Sequence, residues 1–457
     1  MIKNNLNSGD LSPNKSLILK PNKKVLLLGV GGVSVSQLAK VFKSNGCKVF
    51  GYDLHLSSTT SNLEQMGIKI TNKFNKQFLD VDFCVKTAAI KDDNPYVVAL
   101  RAQNVPIFDR ALVLGELIKT FKCVIAVAGT HGKSTTSALI YEILREANKK
   151  VSCHIGADVF CPRFELGDDF VVVEACEYNK SFLNIFANIS VVTNVEPEHM
   201  DCYGSFKNLQ NAFATFAKRA KSRYAFDCES TQFLQKYKNI KFVPVQHFES
   251  KLKGEYNQNN ISVAAAVCKD LGVDDFVIKK VVSSFAGLPR RYEYIGDCGH
   301  TKVFIDYAHH PTEVGAFVST FKQEYANSLV VFQPHTYSRT KMFLNEFVDV
   351  FSNIGDVCIY KEYPAREQKK CGLDAKFLAK MVKQKNEHCQ YVSNKNKVLL
   401  LVKNYDVVAF VGAGDIVEVA RFVTKHKKSL MWVANSRQGE FNLLLCFAFN
   451  CQHHDDF

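Results

Sequence analysis

The stretch VIAVAGTHGKSTTSALIYEIL, residues 124–144, constrains the fold of this chain more than any other. An apolar, β-branched run through Val124, Ile125 and Val127 breaks off at Gly129-Thr130-His131-Gly132-Lys133-Ser134-Thr135, and a helical spacing of Thr136, Leu139, Ile140 and Ile143 follows at once. Strand, glycine turn and helix start, in that order, make a cradle for phosphate. The turn amides and the free N–H groups of the helix N-terminus point at an anion. Lysine adds a point charge for terminal phosphates, and a Ser or Thr hydroxyl can hold magnesium. The turn is shorter than the generic G-x-x-x-x-G-K-[ST], whose first glycine would fall on Val127.

A chain of 457 residues exceeds one ordinary domain, and a size of ~100–200 residues per domain predicts two to four. The formal charge of +13 comes from 58 basic against 45 acidic side chains. Such an excess suits anionic small substrates as well as nucleic acid. The lysines are scattered, and no long basic run or RNA-binding aromatic signature is present, which argues against nucleic acid. The 15 cysteines form no C-x-x-C pair, so reduced thiols in a cytoplasm are expected rather than a zinc site or a disulfide framework. No apolar run approaches ~20 residues, which predicts no membrane span.

Short apolar strands alternate with helical patterns throughout, the signature of parallel α/β domains. One series runs from KKVLLLGVGG to VPIFDR, a second from KCVIAVAGT to ISVVTNVEPEHMD, and a third from TKVFIDYAHHP to VVAFVGAGDI. The expected organisation is a polar extension (1–22), domains over 23–120, 121–289 and 290–424, and a tail (425–457) holding the sole tryptophan, Trp432. Ligands of open α/β sheets sit beyond the carboxyl ends of the strands, so the three series predict a shared inter-domain cleft.

Chemistry-bearing residues gather at these strand ends. Gly29, Gly31 and Gly32 follow the first strand, and Asp53 ends the second, where an acid can meet a ribose. Ser34 stands at the third glycine of G-x-G-x-x-G, so a nicotinamide site, another nucleotide site and a structural turn all remain open there. Glu174 and Glu177 follow one strand of the second series, and His199 lies in the run after the next. Carboxylate, imidazole, hydroxyl and phosphate oxygens together can hold magnesium, or Glu177 and His199 can simply pair. Asp306-Tyr307-Ala308-His309-His310 closes a strand of the third series, as ligand set or as hydrogen-bonded core. His335 and Arg339 follow another, and an arginine fork suits a carboxylate. Arg290-Arg291, between the second and third series, either clamps phosphate or is solvated.

Taken in order, G-V-G-G, A-G-T-H-G-K-S-T-T, E-A-C-E-Y, T-N-V-E-P-E-H-M-D, D-Y-A-H-H-P-T-E, F-Q-P-H and G-A-G-D-I resemble the Mur ligases of bacterial cell-wall synthesis over residues 23–422. The resemblance implies an α/β protein of three domains: a Rossmann-like domain for a UDP-sugar, a P-loop ATPase domain and a Rossmann-like domain for the amino acid. It implies ATP-dependent joining of L-alanine to the lactyl carboxylate of UDP-N-acetylmuramate, with magnesium, by a cytoplasmic monomer or weak dimer. Gly29, Gly31 and Gly32 would then cradle the UDP diphosphate, with Asp53, Ser57 and Thr60 near the nucleotide end. Gly129 to Thr135, Asn257, Asn260 and Asp306 would bind ATP. Lys133 would contact its phosphates, and Ser134, Glu177 and His199 would hold magnesium. His309 would face the sugar, and Tyr307, His335 and Arg339 would line the alanine pocket. The catalytic set that the resemblance implies is Lys133, Glu177, His199, Asp306 and His309.

Several positions depart from the family pattern. Ser34 replaces a glycine, Ser134 a threonine, Tyr256 a histidine beside adenine, and Thr336 an arginine. The region 218–254 is short. Tyr307, the G-V-G-G turn and F-Q-P-H with Arg339 favour alanine over the whole peptide taken by the related recycling ligases. Folate polyglutamylation is disfavoured because its enzymes lack the first domain, and a decayed, non-catalytic relative is disfavoured by Lys133, Glu177, His199 and Asp306.

Overall fold

The computed structural model describes residues 20–156, 164–365, 367 and 374–426. Most of the expected polar extension and the tail with Trp432 lie outside the described residues. Three sheets follow one another along the chain. The first comprises β1 (Lys24–Leu28), β2 (Lys48–Tyr52), β3 (Lys69–Thr71), β4 (Phe83–Lys86) and β5 (Ile107–Asp109), in the order β3-β2-β1-β4-β5. All its pairings are parallel. Four of the five residues of β1 are buried, as in a strand covered on both faces.

The second sheet holds β6 (Cys123–Ala128), β7 (Val151–His154), β8 (Phe170–Glu174), β9 (Ile189–Val192), β10 (Ser222–Phe226) and β11 (Lys241–Val243), ordered β11-β10-β9-β6-β8-β7 and wholly parallel. β6 therefore lies between β8 and β9. The carboxyl ends of those neighbours flank the turn that follows β6, as the sequence requires for one joint site. The short region 218–254 still supplies β10 and β11.

The third sheet holds β12 (Glu293–Cys298), β13 (Thr301–Asp306), β14 (Ser328–Phe332), β15 (Val357–Tyr360), β16 (Cys389–Val392) and β17 (Val407–Val411), ordered β12-β13-β17-β14-β15-β16. It is mixed: β12 is an antiparallel edge strand on β13, with a register shift between Tyr294 and Gly296. The series read from the sequence began at β13, because β12 carries polar and exposed residues and shows no apolar run. The three sequence motifs of this series follow β13, β14 and β17, which are adjacent, so their loops meet at one edge.

The helix Lys133–Glu146 presents Leu139, Ile140, Ile143 and Leu144 to a fully buried cluster with Ile261 and Val263 of the helix Glu255–Asp270. Each such side chain contributes roughly 1.5–3 kcal/mol on burial. This packing fixes the helix that starts at the glycine turn after β6. The first sheet's helix Arg110–Ile118 packs on the second unit through Leu114 and Leu117, in one cluster with Phe182 and Phe213. Gly115 permits the approach, since a Cβ there would collide with the Asn184 carbonyl. Among the described residues no helix is long and apolar enough to cross a membrane.

Candidate active site

The turn after β6 has the geometry of an anion cradle. Gly129 and Gly132 adopt φ of +151° and +80°, which only glycine takes without strain. Cβ atoms at these positions would collide with Thr193 Oγ1 and Asn260 Oδ1. The loop is tied to the strand end beside it, with His131 N donating to Asn194 Oδ1 at 2.8 Å and Thr193 Oγ1 donating to the His131 carbonyl at 2.6 Å. Thr135 is buried in the first helical turn.

Lys133 Nζ donates to the carbonyls of Gly129 (2.6 Å) and Thr130 (2.9 Å) and lies 3.0 Å from Glu177 Oε1. Burial works against its charge, but Glu177 outweighs it and holds the ammonium above its usual range. Burial pushes the Glu177 carboxyl up, with Lys133 opposing. Ser134 Oγ donates to Glu174 Oε2 at 2.9 Å, and Gly156 N donates to the same oxygen at 2.7 Å. Glu174 thus stands directly beside the loop hydroxyl.

Glu177, Glu198 and His199 bring one ligand atom each within 4.8 Å of one another. His199 Nε2 is 3.8 Å from Glu177 Oε1, an ion-pair distance beyond hydrogen-bond reach, so no hydrogen bond from His199 satisfies the carboxylate. Glu177 Oε2 is buried and has no hydrogen-bond partner. A buried carboxylate oxygen left in that state is costly, and a divalent cation held by this oxygen-rich set would satisfy it. Glu198 lay within the quoted motif without an assigned role. Burial disfavours its charge, yet His199, His309, Arg339 and Lys133 together bring its carboxyl down to about 2.

The third sheet supplies the facing wall. Asp306 at the end of β13 accepts Tyr292 N and Ala308 N, both at 2.7 Å. Burial lifts its carboxyl to about 6 against Arg291 and these two donors. His309 Nδ1 donates to the Tyr307 carbonyl at 3.0 Å. Burial lowers the pKa of His309 and, with His309 and Arg339 adding to burial, brings that of His335 to about 3. The His335 ring is therefore neutral at pH 7, and burial favours the neutral form of His309. Arg339 Nη1 lies 3.0 Å from His335 Nδ1, and Nη2 lies 2.7 Å from Glu198 Oε1. Tyr307 lies under the guanidinium groups of Arg290 and Arg291, at 4.6 and 5.1 Å. Arg290 also donates to the carbonyls of Gly412 and Gly414, so it braces the turn after β17 instead of standing solvated.

Between these walls lies a cavity of about 870 Å³ lined by His131, Gly132, Ser134, Tyr256, Asn257, Asn260, Arg291 and Asp306 among others. Its size fits a nucleotide. Asn257 and Asn260 lie one helical turn apart and touch, with Asn260 Nδ2 3.3 Å from Asn257 Oδ1. Tyr256 presents its ring to the cavity, so an aromatic face survives where the sequence departs from the family histidine.

In the first unit, Asp53 Oδ2 accepts Gly31 N at 2.8 Å and Oδ1 accepts His55 N at 3.1 Å. The acid read as a ribose contact thus shapes the glycine turn itself. Thr60 Oγ1 accepts Ser57 N at 2.8 Å and starts the helix Ser58–Gln65 beside that turn, while a Cβ on Gly31 would approach Thr60 Cγ2. Gly29, at φ +84°, donates to the Tyr52 carbonyl. Ser34, the departure from the glycine pattern, accepts Arg110 Nη1 at 3.1 Å and meets His154 Nε2 at 2.7 Å. It joins the first glycine turn to the end of β7. Thr336 takes φ +68° and caps the helix Tyr337–Met342.

Comparison with known proteins matches three family models in order: Mur ligase family, catalytic domain, over residues 24–122; Mur ligase middle domain over 127–245; and Mur ligase, glutamate ligase domain, over 290–414. The UDP-N-acetylmuramate–L-alanine ligase of Caldicellulosiruptor bescii is 32% identical across 86% of this chain and 96% of its own. That of Clostridium perfringens is 33% identical across 88% and 98%. The crystal structure of the UDP-N-acetylmuramate-alanine ligase of Thermotoga maritima superposes with a TM-score of 0.75 at 24% identity, covering 88% of this chain and 99% of that one. The murein peptide ligase of Psychrobacter arcticus gives a TM-score of 0.65 at 18% identity over 90% and 100%.

Proposed function

We propose, from the premise that this chain belongs to the Mur ligase family, that it joins L-alanine to the lactyl carboxylate of UDP-N-acetylmuramate at the expense of ATP, in peptidoglycan precursor synthesis. The identity to alanine-adding relatives across most of both chains supports this substrate pair. The observation that carries the site reading is the meeting of Lys133, Glu177, Glu198 and Arg339 between the second and third sheets.

The domains on this reading are 23–120 for the UDP-sugar, 121–289 for ATP and 290–424 for the amino acid, in a cytoplasmic monomer or weak dimer. The three successive sheets support that division. Gly29, Gly31 and Gly32 approach the diphosphate, with Ser57 and Thr60 at the nucleotide end. ATP occupies the cavity lined by Asn257, Asn260, Tyr256 and Asp306.

A carboxylate resists amine attack because its leaving group would be oxide. Transfer of the γ-phosphoryl of ATP to the lactyl oxygen gives ADP and an acyl phosphate. The alanine amine then forms the C–N bond, and the C–O bond to phosphate breaks. The protein's share is positioning and charge neutralisation. Lys133 and the loop amides meet the phosphate oxygens. Magnesium, when held by Ser134, Glu177, Glu198 and His199, supplies further positive charge at the transferring group. Arg339 holds the alanine carboxylate, with Tyr307 and His335 beside it. His309 uses Nδ1–H for the Tyr307 carbonyl, so its Nε2 is free of a proton and accepts one from the attacking amine. Phosphate release by the purified chain, required to depend on both UDP-N-acetylmuramate and L-alanine, tests the reading.

A further inference from the structure

A second group of ligating side chains lies beside the phosphate loop and takes no part in the chemistry above. His131 on the loop, Glu196 after β9 and His310 after β13 bring one ligand atom each within 4.8 Å of one another. His131 Nε2 is 3.4 Å and His310 Nδ1 is 3.7 Å from Glu196 Oε2. Bonds of about 2.0–2.2 Å to a tetrahedral zinc-type cation require ligand atoms roughly 3.3–3.6 Å apart, which is close to the spacing found.

Local hydrogen bonding sets the lone pairs for this use. Glu313 Oε1 lies 3.0 Å from His131 Nδ1, which keeps a proton on Nδ1 and turns Nε2 toward Glu196, the carboxylate–histidine arrangement that orients metal ligands; Nε2 gives up its own proton when a cation binds. Thr312 N lies 3.4 Å from His310 Nδ1, a long contact that leaves a lone pair on that nitrogen and that a cation bound there would replace. Glu196 Oε2 accepts Thr312 Oγ1 at 2.7 Å. Two acceptors, His310 Nδ1 and Glu196 Oε2, thus face each other with no hydrogen of their own between them. His310 is 4% exposed, and its other nitrogen is buried without a partner.

We propose that His131, Glu196 and His310 form a binding site for a zinc-class divalent cation, distinct from the magnesium set at Glu177, Glu198 and His199. Two imidazoles and one carboxylate suit zinc, cobalt or nickel, whereas magnesium selects oxygen. His131 and Glu196 belong to the second sheet and His310 to the third, so the cation ties the phosphate loop to the third unit. His131, Glu196 and Thr312 also line the nucleotide cavity, which sets the cation in competition with nucleotide for the same space.

The test is calorimetric titration of the full chain with Zn²⁺ alone, nucleotide-free and with its thiols reduced, beside His310→Gln, Glu196→Gln and His199→Gln. Gln at 310 retains an acceptor for Thr312 N. One site per chain is expected, weakened at least tenfold in His310→Gln and in Glu196→Gln and retained in His199→Gln. Unchanged binding in the first two variants, or loss in the third, overturns the proposal. Should a variant fail to fold, Co²⁺ bound to the unaltered chain decides. Intense visible bands of a tetrahedral nitrogen–oxygen site support the proposal. Weak octahedral bands, or a thiolate charge-transfer band, overturn it.

Discussion

Arg339 of the third unit reaches across to Glu198 of the second, with Nη2 2.7 Å from Oε1, both side chains largely buried. The arginine that would hold the alanine carboxylate is thus aligned by the acid that also faces His199 and Lys133. A lysine could keep the charge but not the fork. Arg339→Lys is expected to raise the KM for L-alanine by about 10–100-fold, an effect of ~1.4–2.7 kcal/mol, with the KM for ATP little changed. Steady-state kinetics with each substrate varied separately checks this, and equal rises in both would remove Arg339 from the alanine pocket.

Lys133→Ala removes the one lysine within the phosphate loop, along with its bond to Glu177. Turnover is expected to vanish, while binding of UDP-N-acetylmuramate, measured by calorimetry, stays nearly intact because the site proposed for that ligand lies on the first sheet. Loss of both would show that the two sites are not separable.

Ser34→Gly restores the family glycine and deletes the bridge from Arg110 to His154. Burial, with Arg110 adding to it, lowers His154 to about 3, so the ring is neutral and accepts the Ser34 hydroxyl proton. Its loss leaves a buried acceptor unpaired, a cost of ~1–3 kcal/mol. Denaturant unfolding is expected to show that loss, and the KM for the UDP-sugar to shift by more than the KM for ATP.

His131 carries a pH signature. Burial opposes its charge, but Glu313 and Glu196 outweigh it and raise the ring from 6.5 to about 9. Because the folded value is the higher one, the stabilisation is complete below pH 6.5 and is lost as pH rises through about 9. Its size is on the order of 3 kcal/mol. With chelator present to exclude bound cations, the stability difference between the unaltered chain and His131→Gln should shrink across that window. A difference independent of pH from 6 to 10 would contradict the assignment.

Much of this site was legible from residue order alone. The run from Val124 to Ile143 gave strand, turn and helix at nearly the boundaries found, because β-branching, glycine placement and helical spacing all change at the same point. The motifs after the strands converge because β8, β6 and β9, and likewise β13, β17 and β14, are neighbours. What escaped was pairing across the sheets. Glu198 and Glu313 stood in quoted motifs without roles, and His310 stayed open between ligand and core, since their partners Arg339, His131 and Glu196 lie far off in sequence. Asp53 was read for a ribose and Arg290 for phosphate or solvent, yet their nearest duties are to backbone amides and carbonyls. Strand β12 was missed because an exposed antiparallel edge carries no apolar run.

The most direct measurement is phosphate release by the purified chain with ATP and magnesium, adding UDP-N-acetylmuramate and L-alanine singly and together. Release only when both are present, with stoichiometric formation of UDP-N-acetylmuramoyl-L-alanine, is the predicted result. No ATP turnover, or turnover equal in the absence of L-alanine, would contradict the account.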